Sequence, residues 1–243
     1  MYKGKRVGTY GDIAAFSLNI FKTFTAGDGG AVITDNDALY ERAFAYHDQG
    51  HMPNRAGVEV GKRSMFGINM RINELTGAVA LAQVRKIDRI LAILREKKAK
   101  LKGGVAKAKS DAFSFRKIND EGECATLLTL IFKDVETAKA FCAKAGTDTI
   151  SKSGWHVYYN MEQLIEEKTH TETGCPFICE HTNKPSYKKG MLPKTDDLLE
   201  RAVNISVGVI DKGIGSSVGI NILSSDEEID RVANTLGEIL MSI

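Results

Sequence analysis

Strands alternating with helices along 243 residues predict an α/β chain. Three observations carry that expectation. Short apolar stretches, IAAFSL at 13–18 and AVIT at 31–34, flank a glycine-rich turn; CATLLTLIF, residues 124–132, reads as a continuous apolar strand; and two long stretches carry apolar residues at helical spacing. The same alternation also admits an α+β arrangement of the strands.

The elements follow in order. Ile13 to Leu18 is short and apolar, and Gly27, Gly29 and Gly30 mark a turn before a second strand, Ala31 to Thr34. Asp35-Asn36-Asp37 offers an N-cap for a helix that turns Leu39, Ala43 and Tyr46 toward the core and ends by Gly50. Residues 51–67 have no clear period and carry Pro53, three glycines and several cations, which reads as a long loop. From Asn73, the series Ile72, Leu75, Val79, Ala82, Ile87, Ile90, Leu91 and Leu94 predicts a helix or a kinked pair running to Gly103-Gly104. After the strand at 124–132, Asp134 caps a helix with Val135, Ala138, Phe141 and Cys142 inward, closed by Gly146. Thr147 to Ser151 reads as a further strand, 166–195 as a polar segment, and Asn204 to Ile210 as a strand. The last helix opens on a capping box, Ser225 with Glu228, and buries Ile229, Val232, Leu236, Ile239 and Leu240. No internal repeat and no low-complexity tract is present.

Composition narrows the function. The chain is 43% hydrophobic and 26% charged, as soluble globular proteins are. A net charge of +2 supplies no strong field for nucleic acid or an anionic membrane. The lysine run KKAKLK, 97–102, reads as a solvated helix face. No apolar run has the length of a membrane span, and MYKGKRVGTYGD has no apolar core of a secretory signal. Cys124, Cys142, Cys175 and Cys179 are too few and too irregular for a disulfide scaffold, so a reducing, cytoplasmic setting is expected.

Lys22 stands out among candidate reactive groups. It lies between Phe21 and Phe24, where partial desolvation would lower its pKa and make a neutral amine available for Schiff-base chemistry. Ser17 and the glycine-rich turn could donate to a phosphate. The plain alternative is a surface lysine beside a turn. The glycine spacing matches neither the phosphate loop of mononucleotide binders nor the dinucleotide fingerprint. Cys175, Cys179 and His181, with His170 upstream, are spaced too loosely for a structural zinc site, and no metal is expected. Trp155-His156 reads as packing, and His47 and His51 as surface histidines near a helix end.

Two longer stretches carry a resemblance. YKGKRVGTYGDIAAFSLNIFKTFTAGDGGAVITDND, from Tyr2, resembles the signature of the DegT/DnrJ/StrS sugar aminotransferases, and FGINMRINELTGAVALAQVRKID, residues 66–88, resembles that family's second conserved segment. The resemblance implies a fold-type-I architecture that uses pyridoxal 5'-phosphate (PLP). Residues 1–85 would be the C-terminal part of its cofactor-binding large domain. Residues 86–243 would be the smaller α/β C-terminal domain, entered through a long helix. Lys22 matches the lysine that forms the Schiff base with PLP and moves the proton during transamination. Ser17 matches the serine that binds the cofactor phosphate, and Asn69 the asparagine that reaches the cofactor phosphate of the neighbouring subunit. A homodimer with a shared active site follows. Its substrates would be a keto sugar and an amino-acid donor, glutamate, in surface polysaccharide or amino-sugar biosynthesis. Family dehydratases carry histidine in place of the lysine, and Lys22 argues against that branch.

GWHVYYNMEQL and NISVGVIDKGIG are similar to the 8-amino-3,8-dideoxyoctulosonate aminotransferase subgroup, and the cations of 51–65 suit an anionic sugar. The family carries a segment before its "yKGk" motif that supplies the carboxylate for the pyridine nitrogen and the ring that stacks on the cofactor. No residue here matches those roles. The expectation is therefore an N-terminally truncated form, weakly active or inactive alone. The alternatives are one half of a split aminotransferase and a non-catalytic binding protein.

Overall fold

The computed structural model describes residues 1–53, 63–118, 122–178, 187–211 and 216–243, with Trp155 described by its backbone. The chain divides into two compact units. One is Met1–Leu91 with Glu121–Glu123, and the other is Ala92–Asp120 with Cys124–Ile243.

In the first unit, strands β1 (Ala14–Ser17) and β2 (Gly30–Ile33) form an antiparallel pair with Ala14 opposite Ile33 and Ser17 opposite Gly30. Gly30 is required there, because a Cβ would come 2.8 Å from the Phe16 carbonyl oxygen. Helix α1 (Asp37–His47) starts where expected: Asn36 Oδ1 accepts the Leu39 N–H at 3.1 Å. Its buried residue is Ala45, and Tyr46, expected inward, is exposed. The reason is what covers the helix. Segment 67–70 lies along its C-terminal end, with Ile68 N–H donating to Tyr46 O at 2.8 Å and Met70 N–H to His47 O at 2.9 Å. Gly67 sits so close to this end that a Cβ would come 2.2 Å from Ala45 O.

The run from Asn73 is two helices, α2 (Glu74–Val84) and α3 (Ile87–Ala106). Asn73 Oδ1 caps α2 by accepting the Thr76 N–H at 2.9 Å. The break falls at Arg85-Lys86, where Lys86 N–H bonds back only three residues, to Gln83 O at 2.9 Å. Helix α3 does not stop at Gly103-Gly104 but continues to Ala106. Gly104 faces Ala233 of helix α7 (Asp226–Met241), where a Cβ would lie 2.5 Å from that alanine's own Cβ. That glycine serves a close helix–helix approach rather than a terminus. Nor is 97–102 wholly a solvated face: Lys98 and Leu101 are buried, while Lys100 reaches Asp226 at 3.1 Å and Asp230 at 3.4 Å.

The second unit is built on a three-stranded antiparallel sheet of β3 (Phe113–Phe115), β4 (Leu127–Phe132) and β5 (Ala202–Ser206), in the order β3-β4-β5. Phe113 pairs with Phe132, and Leu127 with Ser206. Helix α4 (Val135–Ala145) follows β4 and packs on β4, β5 and α7. Asp134 Oδ1 caps it through the Thr137 N–H at 2.7 Å, and Gly146 closes it at φ 69°. The core combines Leu128, Leu130, Phe132 and Ile205 of the sheet with Leu94, Leu101, Phe141, Ile229, Leu236 and Leu240 of the helices. Each such side chain contributes roughly 1.5–3 kcal/mol on burial. One buried polar pair crosses the sheet, Thr129 Oγ1 donating to Asn204 Oδ1 at 2.8 Å.

Two strand expectations change. Thr147–Ser151 is not a strand; Ile150–Lys152 is a 3-10 turn in which Ser153 N–H bonds Ile150 O at 2.9 Å. The strand expected at 204–210 lies at 202–206, because beyond Ser206 the chain turns and the Val207 and Gly208 N–H groups both donate to Thr126 O. Helices α5 (Glu162–Ile165) and α6 (Pro193–Arg201) complete the unit, and α6 begins inside the segment read as polar loop. Among the described residues no helix is long and apolar enough to cross a membrane.

Candidate active site

The β1–β2 connection, residues 18–29, is closed at its neck. Leu18 N–H donates to Gly29 O at 2.9 Å, and Ala26 N–H donates to Leu18 O at 3.0 Å. Thr25 Oγ1 donates to the same Leu18 carbonyl at 2.9 Å and accepts the Gly27 N–H at 2.9 Å. Asp28 Oδ1 takes the Gly29 N–H at 2.8 Å. Leu18 is buried beneath the loop. At Gly29 the backbone is left-handed, φ 109°, and a Cβ would meet Ile72 Cγ2 at 2.9 Å, so the position needs glycine twice over.

Within this loop the structure brings Ser17 and Lys22 to the two ends of one turn. Asn19 organises it: its N–H donates to Ser17 Oγ at 3.2 Å, its Oδ1 accepts the Phe21 N–H at 3.1 Å, and its carbonyl accepts the Lys22 N–H at 3.0 Å. Sequence reasoning missed Asn19. The signal was an asparagine two residues after Ser17 in the FSLNIF stretch. Because Ser17 Oγ accepts from Asn19, its own proton is available to donate. Among the described residues the Lys22 ammonium makes no hydrogen bond and no ion pair. Both side chains are exposed. The desolvation expected from the neighbouring phenyl rings is not realised, since Phe21 is itself 61% exposed. An unpaired hydroxyl proton and an unpaired lysine side chain on one turn suit a ligand that carries both a phosphate and an aldehyde. In such a ligand a hydroxyl proton can donate to a phosphate oxygen, and a lysine amine, once deprotonated, can add to a carbonyl carbon.

Asn69 sits on a different segment. It forms an antiparallel bridge with Asp48, and its Oδ1 accepts both the Arg71 N–H at 3.2 Å and the Arg71 Nε–H at 3.3 Å. Arg71 Nε lies 3.2 Å from the carboxylate of Asp48, which is buried. Asp48 and Arg71 are thus further members of the Asn69 cluster that the sequence did not announce. Among the described residues no hydrogen bond links Asn69 to Ser17 or Lys22.

The remaining candidates gather no site. His47 Nδ1 lies 2.6 Å from Phe44 O on its own helix. Cys179 and His181 lie outside the described residues. Cys175 is half-buried, and its carbonyl accepts from the hydroxyls of Thr169 and Thr171. Among the described residues no three His, Cys, Asp or Glu side chains cluster as metal ligands would.

Comparison with known proteins places this loop in a family. The GDP-perosamine synthase of Escherichia coli O157:H7 is 38% identical over 95 residues, which is 39% of this chain and 25% of that protein. An aminotransferase from Psychrobacter cryohalolentis has a similar structure, with a TM-score of 0.68 and 18% identity over 100% of this chain and 59% of that one. GDP-4-keto-6-deoxymannose-3-dehydratase, solved with a trapped adduct of PLP and glutamate, superposes with a TM-score of 0.65 and 15% identity over 97% of this chain and 57% of that one. The chain thus spans little more than half the length of these solved neighbours, and they establish its fold as that of the fold-type-I PLP enzymes. The sequence pattern of one family matches residues 1–209, and the chain belongs to it: the DegT/DnrJ/EryC1/StrS aminotransferase family.

Proposed function

We propose that this chain carries the amine-bearing part of a PLP-dependent sugar aminotransferase. Lys22 holds the cofactor through a Schiff base, Ser17 binds its phosphate, and Asn69 reaches the phosphate at a neighbouring subunit, which makes the working unit a homodimer. The supporting observation is the Asn19 turn, which keeps the Ser17 proton and the Lys22 ammonium both free at its ends. Bound PLP supplies the electron sink that the protein lacks. The protein's own part is to bind the phosphate, to orient the amine and to move a proton with Lys22 at the substrate carbon that gains or loses nitrogen.

The substrate is a keto sugar and the donor an amino acid, glutamate, in surface polysaccharide or amino-sugar biosynthesis in the cytoplasm. Family membership and a relative named for perosamine synthesis support the sugar, and the PLP–glutamate adduct in a neighbour supports the donor. Residues 1–85 take the cofactor-binding role and 86–243 the role of the smaller domain. Turnover by the chain alone is weak, a reading supported by the exposure of β1, β2 and Lys22 to water.

Titration of the purified chain with PLP, followed by borohydride reduction and peptide mass mapping, tests this. A visible absorbance band that reduces to a covalent adduct on Lys22, and vanishes in Lys22→Ala, is expected. Reduction onto another lysine, or an unchanged band in Lys22→Ala, overturns the assignment. Robust amino transfer by the chain alone would overturn the weak-turnover reading.

A further inference from the structure

Ser17 and Lys22 stand five residues apart, and a straight strand would separate them. At about 3.3 Å per residue the gap would be about 16 Å, and an odd spacing would put the two side chains on opposite faces. A small ligand that takes both groups therefore needs the chain to fold back between them. The chain does so at Asn19, the first residue of a turn that the Lys22 N–H closes by donating to the Asn19 carbonyl at 3.0 Å.

Three groups of this one residue hold the arm from Ser17 to Lys22. Its N–H donates to Ser17 Oγ at 3.2 Å, its carbonyl accepts from Lys22, and its side-chain Oδ1 accepts the Phe21 N–H at 3.1 Å. Asparagine is favoured at the first position of such a turn because its side chain bonds the backbone two residues on. Asn19 also forms a parallel bridge with Gly27, which ties it to the opposite arm of the loop. It is half-buried, between buried Leu18 and exposed Ile20, so water competes less for its Oδ1 than at an exposed site. The neck of the loop is closed independently, by Leu18 with Gly29 and Ala26 and by Thr25 with Leu18 and Gly27. Loss of the Asn19 carboxamide would loosen the Ser17–Lys22 turn and leave that neck intact.

We propose that Asn19 is a positioning residue: its carboxamide oxygen fixes the turn that lets one ligand meet Ser17 with its phosphate and Lys22 with its aldehyde. The role rests on the reading of Ser17 and Lys22 as the cofactor-binding pair. The covalent step is condensation of the Lys22 amine with the aldehyde carbon and loss of water, and Asn19 takes no part in it. Asn19 sets the span between the two groups. Its removal therefore acts on how far the phosphate assists capture of the aldehyde, and not on the reactivity of the amine as such.

In the test the full chain, Asn19→Ala and Asn19→Ser are each treated with PLP and with pyridoxal, which carries the aldehyde but no phosphate. The products are reduced with borohydride and mapped by peptide mass. The readout is the preference of Lys22 for PLP over pyridoxal, relative to that of the other lysines of the chain. In the unaltered chain Lys22 should prefer PLP. Asn19→Ala should cut this preference by about fivefold, the scale of one net hydrogen bond. Asn19→Ser, whose hydroxyl can accept the same N–H more weakly, should restore part of it. A residue that only tunes the amine would change capture of both aldehydes together and leave the ratio unmoved. A preference retained in Asn19→Ala, or no recovery in Asn19→Ser, overturns the role of Asn19 while the assignment of Ser17 and Lys22 stands. No preference at Lys22 in the unaltered chain overturns that assignment, and the role of Asn19 with it.

Discussion

Gly103 and Gly104 are neighbours in α3 with different surroundings. A Cβ at Gly103 would meet nothing within 4 Å, whereas one at Gly104 would come 2.5 Å from Ala233 Cβ. Gly103→Ala should therefore raise stability by about 0.5–1 kcal/mol, the usual gain from removing a mid-helix glycine. Gly104→Ala gains the same propensity term but overpacks a helix contact that costs typically 1–3 kcal/mol, so its net effect is a loss. Urea unfolding of the two variants, read as opposite shifts of the midpoint, checks the pair. Lys98 makes the same point: in the sequence it is one of four lysines in a run, and in the fold it is buried. Lys22 is the converse. Its motif was legible in the residues, but the desolvation argued from Phe21 and Phe24 was not met, because adjacent residues in an irregular loop do not determine what covers them.

Helix limits were the most legible elements. The caps Asn36, Asp134 and Ser225 act as read, and Asn73, not read as a cap, caps a helix at the expected start, because an N-cap satisfies N–H groups only two or three residues away. The Ser225 box is complete: Glu228 N–H donates to Ser225 Oγ at 3.2 Å and Ser225 N–H to Glu228 Oε2 at 2.8 Å. Ser225→Ala should cost about 1 kcal/mol, measured as a lower midpoint of thermal or urea unfolding, and Ser225→Asp should recover most of it. The 3-10 turn at Ile150–Lys152 was illegible by the same logic. Its alternating residues satisfy a strand pattern, but a strand exists only where a neighbouring strand takes its hydrogen bonds, and here Thr149 O and Ile150 O are taken locally by Lys152 and Ser153.

Across the whole molecule burial is uneven. Among the described residues of the first unit the buried apolar side chains are Leu18 and Ala45, while Phe66 is 85% and Leu75 81% exposed. The second unit has a dense core on β4 and β5. Local opening is cheapest where few apolar contacts close over the backbone hydrogen bonds. Hydrogen exchange of the purified chain should therefore show the amides of Leu128–Phe132 and Val203–Ile205 protected longest, and those of β1 and β2 exchanging far sooner. Equal protection of the two sheets would show that the first unit is covered in solution. The residues alone determined the alternating α/β order, the caps at Asn36, Asp134 and Ser225, the inward positions Ala138, Phe141 and Cys142 of α4 and Ile229, Leu236 and Leu240 of α7, where Val232 and Ile239 are only half-buried, and the family motifs around Lys22 and Asn69. Each of these is written in residues a few positions apart. Only the tertiary structure decided which apolar faces are covered, why Gly104 is a glycine, that Asn19 holds Ser17 and Lys22 on one turn, and that Asp48 and Arg71 stand behind Asn69. The Asn19 turn is local and depends on backbone geometry; the others depend on partners distant in the chain, which a local pattern does not encode.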